Sequence, residues 1–289
     1  MKRSLSLLVI AAGLITSSCG PLIKQMTVAS ATEIFRDGMV AFYREGDLEL
    51  AEQALASNLK LLEVFLQTSP NNQDLLLLAS QGFGAYTFAF VEDKIAAYRT
   101  DPHLAQLQRE RARRLYLRAR DYGLRALALR HENLADPLTA DLPALRTALQ
   151  PLHKGDVPAL FWAAYGWGGA INWSRDQPEM LADVPRVVAM MRRALELDEG
   201  YFHAGPHLFF SIYYASRSPT LGGDPNRAKF HLDRALDLTG GNTLMVRLFI
   251  ADPYAVQIQD RPLFETQIQS ILDAPDDLSP DQRLINQIA

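Results

Sequence analysis

The sequence predicts an all-α protein in which successive helices pack as antiparallel pairs. From Ala31 onward, apolar residues recur at the three- and four-residue spacing of a helix almost without a break. No run of alternating apolar and polar residues, bounded by turn residues, indicates a strand. The connections between the apolar patterns are mostly short, and short connections make consecutive helices antiparallel neighbours.

The apolar spacing predicts helices over residues 31–45, 48–67, 72–99, 103–130, 142–151, 157–174, 180–198, 203–216, 225–239, 242–257, 261–273 and 280–287. Asp101, Asp224 and Ser279 each precede a proline, and we expect them to cap helices whose first turn tolerates that proline. Gly200 and Gly240 follow predicted helices and are expected to serve as C-caps. The capping residues therefore agree with the helix ends that the apolar pattern predicts.

The composition is that of an ordinary folded protein and argues against several classes. The chain has 289 residues, of which 48% are hydrophobic, and its 29 lysines and arginines are outnumbered by 33 aspartates and glutamates. The formal charge of −4 argues against a nucleic-acid partner, since binding to a phosphate backbone needs a basic surface. One cysteine can form neither an internal disulfide nor a Cys/His zinc module.

Residues 1–18 have the organisation of a secretory signal peptide. Lys2 and Arg3 precede an apolar run that is too short to span a bilayer permanently, and small residues follow it. Cys19 comes next, in an arrangement that resembles a bacterial lipobox, in which the cysteine is diacylated and becomes the mature N-terminus. We therefore expect a lipid-anchored protein facing the periplasm, whose charge falls from −4 to −6 because Lys2 and Arg3 are removed. Gly20 stands where lipoproteins of the inner membrane commonly carry Asp, which favours the outer membrane.

Two segments share a pattern typical of tetratricopeptide repeats (TPRs), in which small residues lie where paired helices approach closely. Residues 42–55 contain an aromatic pair, a Gly-Asp turn and then alanines one turn apart, and residues 223–236 have Gly-Asp followed by small residues at helical spacing. A weaker copy combines residues 162–166 with residues 191–198. The irregular spacing of these copies predicts a degenerate, TPR-like array that forms a curved α-solenoid.

Segments in the second half resemble a known family more closely than they resemble tetratricopeptide repeats. Residues 218–236 contain Leu-Gly-Gly-Asp, residues 254–264 contain Gln-Asp-Arg-x-x-Phe, and residues 161–168 read Phe-Trp-Ala-Ala-Tyr-Gly-Trp-Gly. Together they are similar to the T component (TatT-like lipoproteins) of tripartite ATP-independent periplasmic (TRAP) transporters, over most of residues 31–273. The resemblance implies a TPR-like lipoprotein that forms a trimer around a pore. It also implies docking of the periplasmic solute-binding subunit and passage of a hydrophobic or organic-acid ligand, with no cofactor.

Signatures of catalysis are mostly absent from the sequence. It contains no Gly-x-Ser-x-Gly, no His-Glu-x-x-His, no P-loop and no Gly-x-Gly-x-x-Gly after a strand. His203 and His207 have a metal-like spacing, but Pro206 lies between them and belongs in a first helical turn. We therefore expect His203 outside the helix that carries His207, and the sequence predicts neither an enzyme nor a metal site.

Four arginines form a stripe along the predicted helix 103–130, namely Arg111, Arg114, Arg118 and Arg125. One interpretation is a solvated face with internal salt bridges. The other is a contact for an acidic partner surface or a carboxylate ligand, because the planar guanidinium binds carboxylates in a bidentate manner. Both interpretations remain open at this point.

Aromatic residues are concentrated near the start of two consecutive predicted helix pairs. At helical spacing, such residues most often form a core. Their outer members could instead line a shared ligand groove on the concave side of the array, where Gly166, Gly168 and Gly169 leave room for an apolar ligand or for a tight helix crossing. The candidate groove residues are Trp162, Tyr165, Trp167, Trp173, Phe209 and Tyr213.

These expectations divide the chain into a signal peptide (1–18), a lipidated linker (19–30), a TPR-like helical domain (31–275) and a polar C-terminal tail (276–289). The predicted function is that of the accessory T component of a TRAP-type solute uptake system. It would act without catalysis, as a homotrimer that contacts the membrane only through its lipid anchor. The alternative is a TPR-like lipoprotein scaffold that binds proteins during envelope assembly.

Overall fold

The computed structural model describes residues 2–134 and 141–289 and, within these ranges, the side chains from Ile23 onward. All regular secondary structure in the two ranges is helical, so the predicted all-α class is confirmed. The α-helices are α1 (Lys2–Tyr43), α2 (Leu48–Thr68), α3 (Gln73–Tyr86), α4 (Asp93–Ala97), α5 (Pro102–Ala128), α6 (Leu142–Leu149), α7 (Val157–Asn172), α8 (Pro178–Leu181), α9 (Val184–Leu197), α10 (Tyr201–Ala215), α11 (Pro225–Thr239), α12 (Leu244–Phe249), α13 (Arg261–Leu272) and α14 (Arg283–Ile288).

Three predicted helices are interrupted in the structure. Residues 72–99 form α3 and α4, which are joined by a π-helical segment, Thr87–Glu92. Residues 180–198 are divided between α8 and α9, because Pro185 in the first turn of α9 cannot continue the hydrogen bonds of a preceding helix. Residues 242–257 are interrupted at Asp252, which leaves the helical conformation immediately before a proline.

The predicted helix caps are partly confirmed. Asp101 and Asp224 cap α5 and α11, each accepting two backbone N–H hydrogen bonds at 3.0 and 3.1 Å. Gly240 ends α11 in the left-handed conformation, with φ of 59°. Two expectations were wrong: Ser279 makes no capping hydrogen bond through its side chain, and Gly200 precedes α10 instead of ending α9.

The centre of the fold is the packing of α3 on α5, of α5 on α7, and of α7 on α9. The crossing of α5 and α7 is unusually close because glycines face the opposite helix. A Cβ added at Gly166 would lie 2.7 Å from the backbone N of Arg120 and 2.8 Å from the backbone O of Tyr116. Gly169 lies against the ring of Tyr116 in the same way. Gly166 and Gly169 therefore serve the tight helix crossing, since α5 fills the space beside them.

The C-terminal helix packs against the N-terminal ones. Helix α14 contacts α12 but also α1 and α2, and Leu284 on α14 is buried. Arg44, just after α1, forms an ion pair with Asp281 at 2.7 Å. The end of the predicted polar tail is therefore part of the packed fold. In a solenoid each repeat contacts only its neighbours, so this return of the chain differs from an open array, and the curved TPR-like solenoid stays a prediction.

One described segment, Gln73–Ala97, is long and apolar enough to cross a membrane by length and composition alone. It contains α3, the π-helical segment and α4, and 67% of its apolar window is buried inside the fold. Helix α3 packs against α2, α5 and α7. The hydropathy of the segment Gln73–Ala97 is therefore that of a helix in the core.

Candidate functional site

Three of the four arginines in the predicted stripe hold α5 against the preceding helices. The Nη2 atom of Arg111 donates to the hydroxyl of Tyr86 at 3.0 Å, and Nη2 of Arg125 donates to the backbone O of Pro70 at 2.9 Å. Arg118 forms an ion pair with Glu63 on α2, and its guanidinium lies 4.5 Å from the ring centre of Phe83 on α3. Because they are seven residues apart, these three side chains leave α5 on one face and reach the same neighbours.

Glu63 is the central acceptor of this contact between α2 and α5. Besides Arg118, it accepts a hydrogen bond from the hydroxyl of Tyr122 at 2.8 Å and one from Nζ of Lys60 at 2.6 Å. Burial acts to raise the pKa of Glu63, but these hydrogen bonds and the charge of Arg118 hold it below its ordinary value. Arg118 therefore joins α5 to α2 through Glu63, a contact between helices that lies outside the stripe itself.

Arg114 differs from the other three arginines. Its side chain is 62% exposed, and its ion-pair partner among the described residues is Glu110, with 4.0 Å between Nη1 and Oε2. An exposed pair at that distance contributes little to stability and leaves the guanidinium available to solvent. Of the predicted partner contacts, Arg114 is the one that the fold leaves free to meet another surface.

The six candidate groove residues do not line one open groove. Trp162 and Trp167 lie in the core, with 2% and 0% of their surfaces exposed. Tyr165 is half-buried by exposed area and packs edge-on against Trp162, with 5.3 Å between ring centres. Trp173 lines one surface cavity and Tyr213 lines another, while Phe209 stacks on Tyr213 at 6.3 Å. The core interpretation therefore applies to Trp162 and Trp167, whose neighbours fill the space around them.

A strained turn next to this aromatic core was not foreseen from the sequence. Phe202, His203 and Ala204 all have positive φ values, from 45° to 60°, at the start of α10. This confirms that His203 lies outside the regular helix that carries His207. In this turn, the ring of Phe202 packs edge-on against Trp162, with 4.7 Å between ring centres. Three consecutive non-glycine residues in this region cost free energy that the surrounding packing must offset.

A buried carboxylate connects α5, α7 and the π-helical segment. Oε1 of Glu92, the last residue of that segment, accepts hydrogen bonds from the hydroxyl of Tyr116 and from Nε1 of Trp173, both at 2.7 Å. Burial raises the pKa of Glu92, and the two hydrogen bonds act against that rise. No sequence motif marks this cluster, because Tyr116 and Trp173 lie 24 and 81 residues from Glu92. Its effect is to fix the plane of the Trp173 indole.

Trp173 forms one wall of a surface cavity of about 560 Å³ between α5 and the loop that follows α7. We call it the Trp173 cavity. Its charged lining consists of Arg109 and Arg113 on α5 and Arg175 in the loop, together with Glu110 and Asp176. A second cavity, of about 380 Å³, lies between α6 and α9 and includes Arg146, Arg192 and Tyr213. Volumes of this size are within the range of small-molecule sites.

Two histidines meet where α10 packs on α11. Nδ1 of His207 lies 2.9 Å from Nδ1 of His231, and Nε2 of His207 lies 3.1 Å from Glu199, which also binds Arg234. Burial and the nearby charges of His207, Arg192 and Arg227 lower the pKa of His231 to about 4. Within the described residues, no group of three or more His, Cys, Asp or Glu side chains is arranged to hold a metal ion.

Cys19 lies within the backbone span of α1, but its side chain is outside the described ones. Its lipidation therefore stays a prediction from the sequence.

A family model for the TRAP transporter T-component matches residues 44–289. The match begins after α1 and includes α2 to α14, so it spans the α5–α7 core, both cavities and the histidine pair. No curated protein matches the chain.

Proposed function

The chain belongs to the TRAP transporter T-component family, and on this premise we propose that it docks the transporter's solute-binding subunit and holds a small ligand for transfer. The observation that carries the proposal is the extent of the family match, which covers residues 44–289 and so includes every helix from α2 to α14. A component of this family works in association with other TRAP components and is associated with the cell envelope. It is an accessory component of transport, not a member of a known enzyme family.

The proposed docking contact includes Arg114. Its guanidinium is exposed, and its one ion-pair partner in the described part of the chain, Glu110, is 4.0 Å away, so an acidic partner surface can compete for it. Arg118 on the same helix is instead held by Glu63. Charge reversal of Arg114 should therefore weaken docking while leaving the fold intact, and the weakening should be larger at low ionic strength.

The protein is further proposed to be anchored by acyl chains on Cys19, facing the periplasm, with the outer membrane favoured by Gly20. Several acyl chains together hold a protein on its membrane. Mass spectrometry of the N-terminal peptide from detergent-extracted protein tests this. We expect a peptide that begins at Cys19 and carries the mass of the acyl groups, and an unmodified Cys19 within a longer peptide would refute the anchor.

The homotrimer is proposed on the family relationship alone. Light scattering of the full-length protein in detergent, corrected for bound detergent, should give three times the mass of one chain. A protein mass equal to one chain across the accessible concentration range would contradict the trimer.

Co-purification from the cell envelope tests the docking function. The full-length protein, purified under mild conditions after chemical cross-linking, should carry the TRAP solute-binding subunit, which mass spectrometry identifies. The Arg114→Glu variant should recover less of that subunit than the wild type, whereas Arg99→Glu, a reversal of another exposed arginine, should recover the same amount. Recovery of envelope-assembly proteins without the solute-binding subunit would refute the proposal.

A further inference from the structure

The Trp173 cavity contains two arginines that the fold does not use. Arg109 and Arg113 are one helical turn apart on α5 and both line the cavity. Within the described part of the chain, neither guanidinium has a hydrogen bond or an ion pair. This contrasts with Arg111, Arg118 and Arg125 on the same helix, each of which binds a group on α2, on α3 or between them.

The charge balance of the cavity is positive. Arg175 is a third cation in the lining, and among the described residues its guanidinium binds the side chain of Asn172 alone, which is neutral. Of the two carboxylates in the lining, Glu110 also faces Arg114 outside the cavity. The lining therefore has three guanidiniums against two carboxylates, which leaves it with a net positive charge. Arginines placed in this way bind carboxylates through paired N–H donors.

The wall of the cavity adds an apolar surface of fixed orientation. The indole of Trp173 lines it, and the hydrogen bond from Nε1 to Glu92 holds the ring in place from behind. The volume of about 560 Å³ accommodates a small organic molecule but not a protein segment with tertiary structure. A flat or aliphatic body can pack on the indole while its charged end reaches the arginines.

We propose that the Trp173 cavity binds a small organic carboxylate, with Arg109 and Arg113 holding the carboxylate and Trp173 packing against the apolar body. The site is separate from the buried tryptophans of the core. It rests on the ligand-holding part of the proposed function but not on docking, because ligand binding is measured on the purified protein without the solute-binding subunit. Loss of docking and loss of ligand binding can therefore be distinguished.

The test is isothermal titration of the full-length protein, in a non-ionic detergent, with phenylacetate. A ligand of this size that is held by one charge pair and one aromatic contact is expected to bind with a Kd of about 1 mM. Phenylacetamide has the same shape without the charge and should bind at least about tenfold more weakly. Inorganic phosphate should not displace phenylacetate at equal concentration, because it lacks the apolar body.

The arginines are tested with the double variant R109Q/R113Q. Both side chains make no internal hydrogen bond in the described structure, so the variant should keep the wild-type unfolding temperature and weaken phenylacetate binding at least about tenfold. The matched control is K24Q/R99Q, which removes two exposed cations outside the cavity and should bind as the wild type does. The variant R146Q, in the second cavity, should also leave binding unchanged.

Fluorescence localises the bound ligand. The chain has 3 tryptophans, and Trp162 and Trp167 are buried, so a change of emission on adding phenylacetate should come from Trp173. The Trp173→Phe variant should therefore lose the change of emission. Wild-type protein that gives no binding heat up to about 20 mM phenylacetate would overturn the proposal. Equal binding of phenylacetamide, displacement by phosphate, or full binding by R109Q/R113Q would overturn it as well.

Discussion

Replacing Gly166 by Ala should destabilise the protein, although alanine is the better helix former. The added Cβ would lie 2.7 and 2.8 Å from backbone atoms of α5 and 2.9 Å from the Cβ of Ala119. Backbone atoms cannot rotate away, so α7 must move from α5 by about 0.7 Å to restore ordinary contact, and such overpacking costs about 3 kcal/mol. The gain in helix propensity is about 1 kcal/mol. The net loss is therefore about 2 kcal/mol, which corresponds to a fall in Tm of about 4–8 °C for a protein of this size.

The matched control is Gly38→Ala on α1. Gly38 also lies inside a helix, but nothing is within 4 Å of the position of its Cβ. At Gly38 only the gain in helix propensity applies, so this variant should be more stable than the wild type by about 0.5–1 kcal/mol. Thermal unfolding of the full-length variants in detergent, followed by circular dichroism, gives both values. If Gly166→Ala unfolds at or above the wild-type temperature, α5 and α7 do not approach each other at Gly166 as closely as described.

Two further predictions follow from the ion pairs and the histidine pair. Arg118→Ala should cost about 1–2 kcal/mol, because Glu63 is only 13% exposed and loses its charged partner, whereas Arg114→Ala should stay within about 0.5 kcal/mol of the wild type. Equal effects of the two variants in urea unfolding would refute the distinction between Arg118, which is paired with Glu63, and the exposed Arg114. The pKa of His231 is about 4 in the folded protein and about 6.5 in the unfolded chain. The contribution of neutral His231 to the free energy of unfolding is therefore complete above pH ~6.5 and is lost as the pH falls towards 4. After allowance for its partial exposure, this loss is about 1–2 kcal/mol between those values. His231→Phe keeps a ring between Phe210 and Tyr214 and should reduce the loss of stability at low pH. If the variant shows the same pH dependence as the wild type, His231 is not the source of that loss.

The helices were largely predictable because their signals are local. Apolar spacing, Asp101 and Asp224 at N-caps and Gly240 at a C-cap all act within a few residues, and the structure has them as expected. The turn at Phe202–Ala204 could not be predicted in this way, since Phe and Ala rarely adopt positive φ and a single His is too weak a signal for three such residues in a row. Only the following Gly205-Pro206 marked the break. Tertiary packing against Trp162 selects that conformation, and packing is not a local signal.

The candidate site was predictable only in part, because amphipathic patterns do not say which neighbour covers a face. The arginine stripe on α5 was visible from its spacing. Its pairing with Glu63 joins residues 55 positions apart, and only the fold places them together. Arg109 and Arg113 were part of the same dense charge but lie on a different face, where the loop after α7 forms the Trp173 cavity. The return of α14 to α1 and α2 is likewise a long-range contact with no local signal.

The most direct test of the proposed function is a binding measurement between the full-length protein and the purified solute-binding subunit of the TRAP transporter from the same organism. Biolayer interferometry with the full-length protein on the sensor should give saturable binding, with a Kd of about 10 μM or lower that rises with ionic strength and with Arg114→Glu. No saturable binding up to about 200 μM of the subunit, with the protein shown to be folded, would contradict the account.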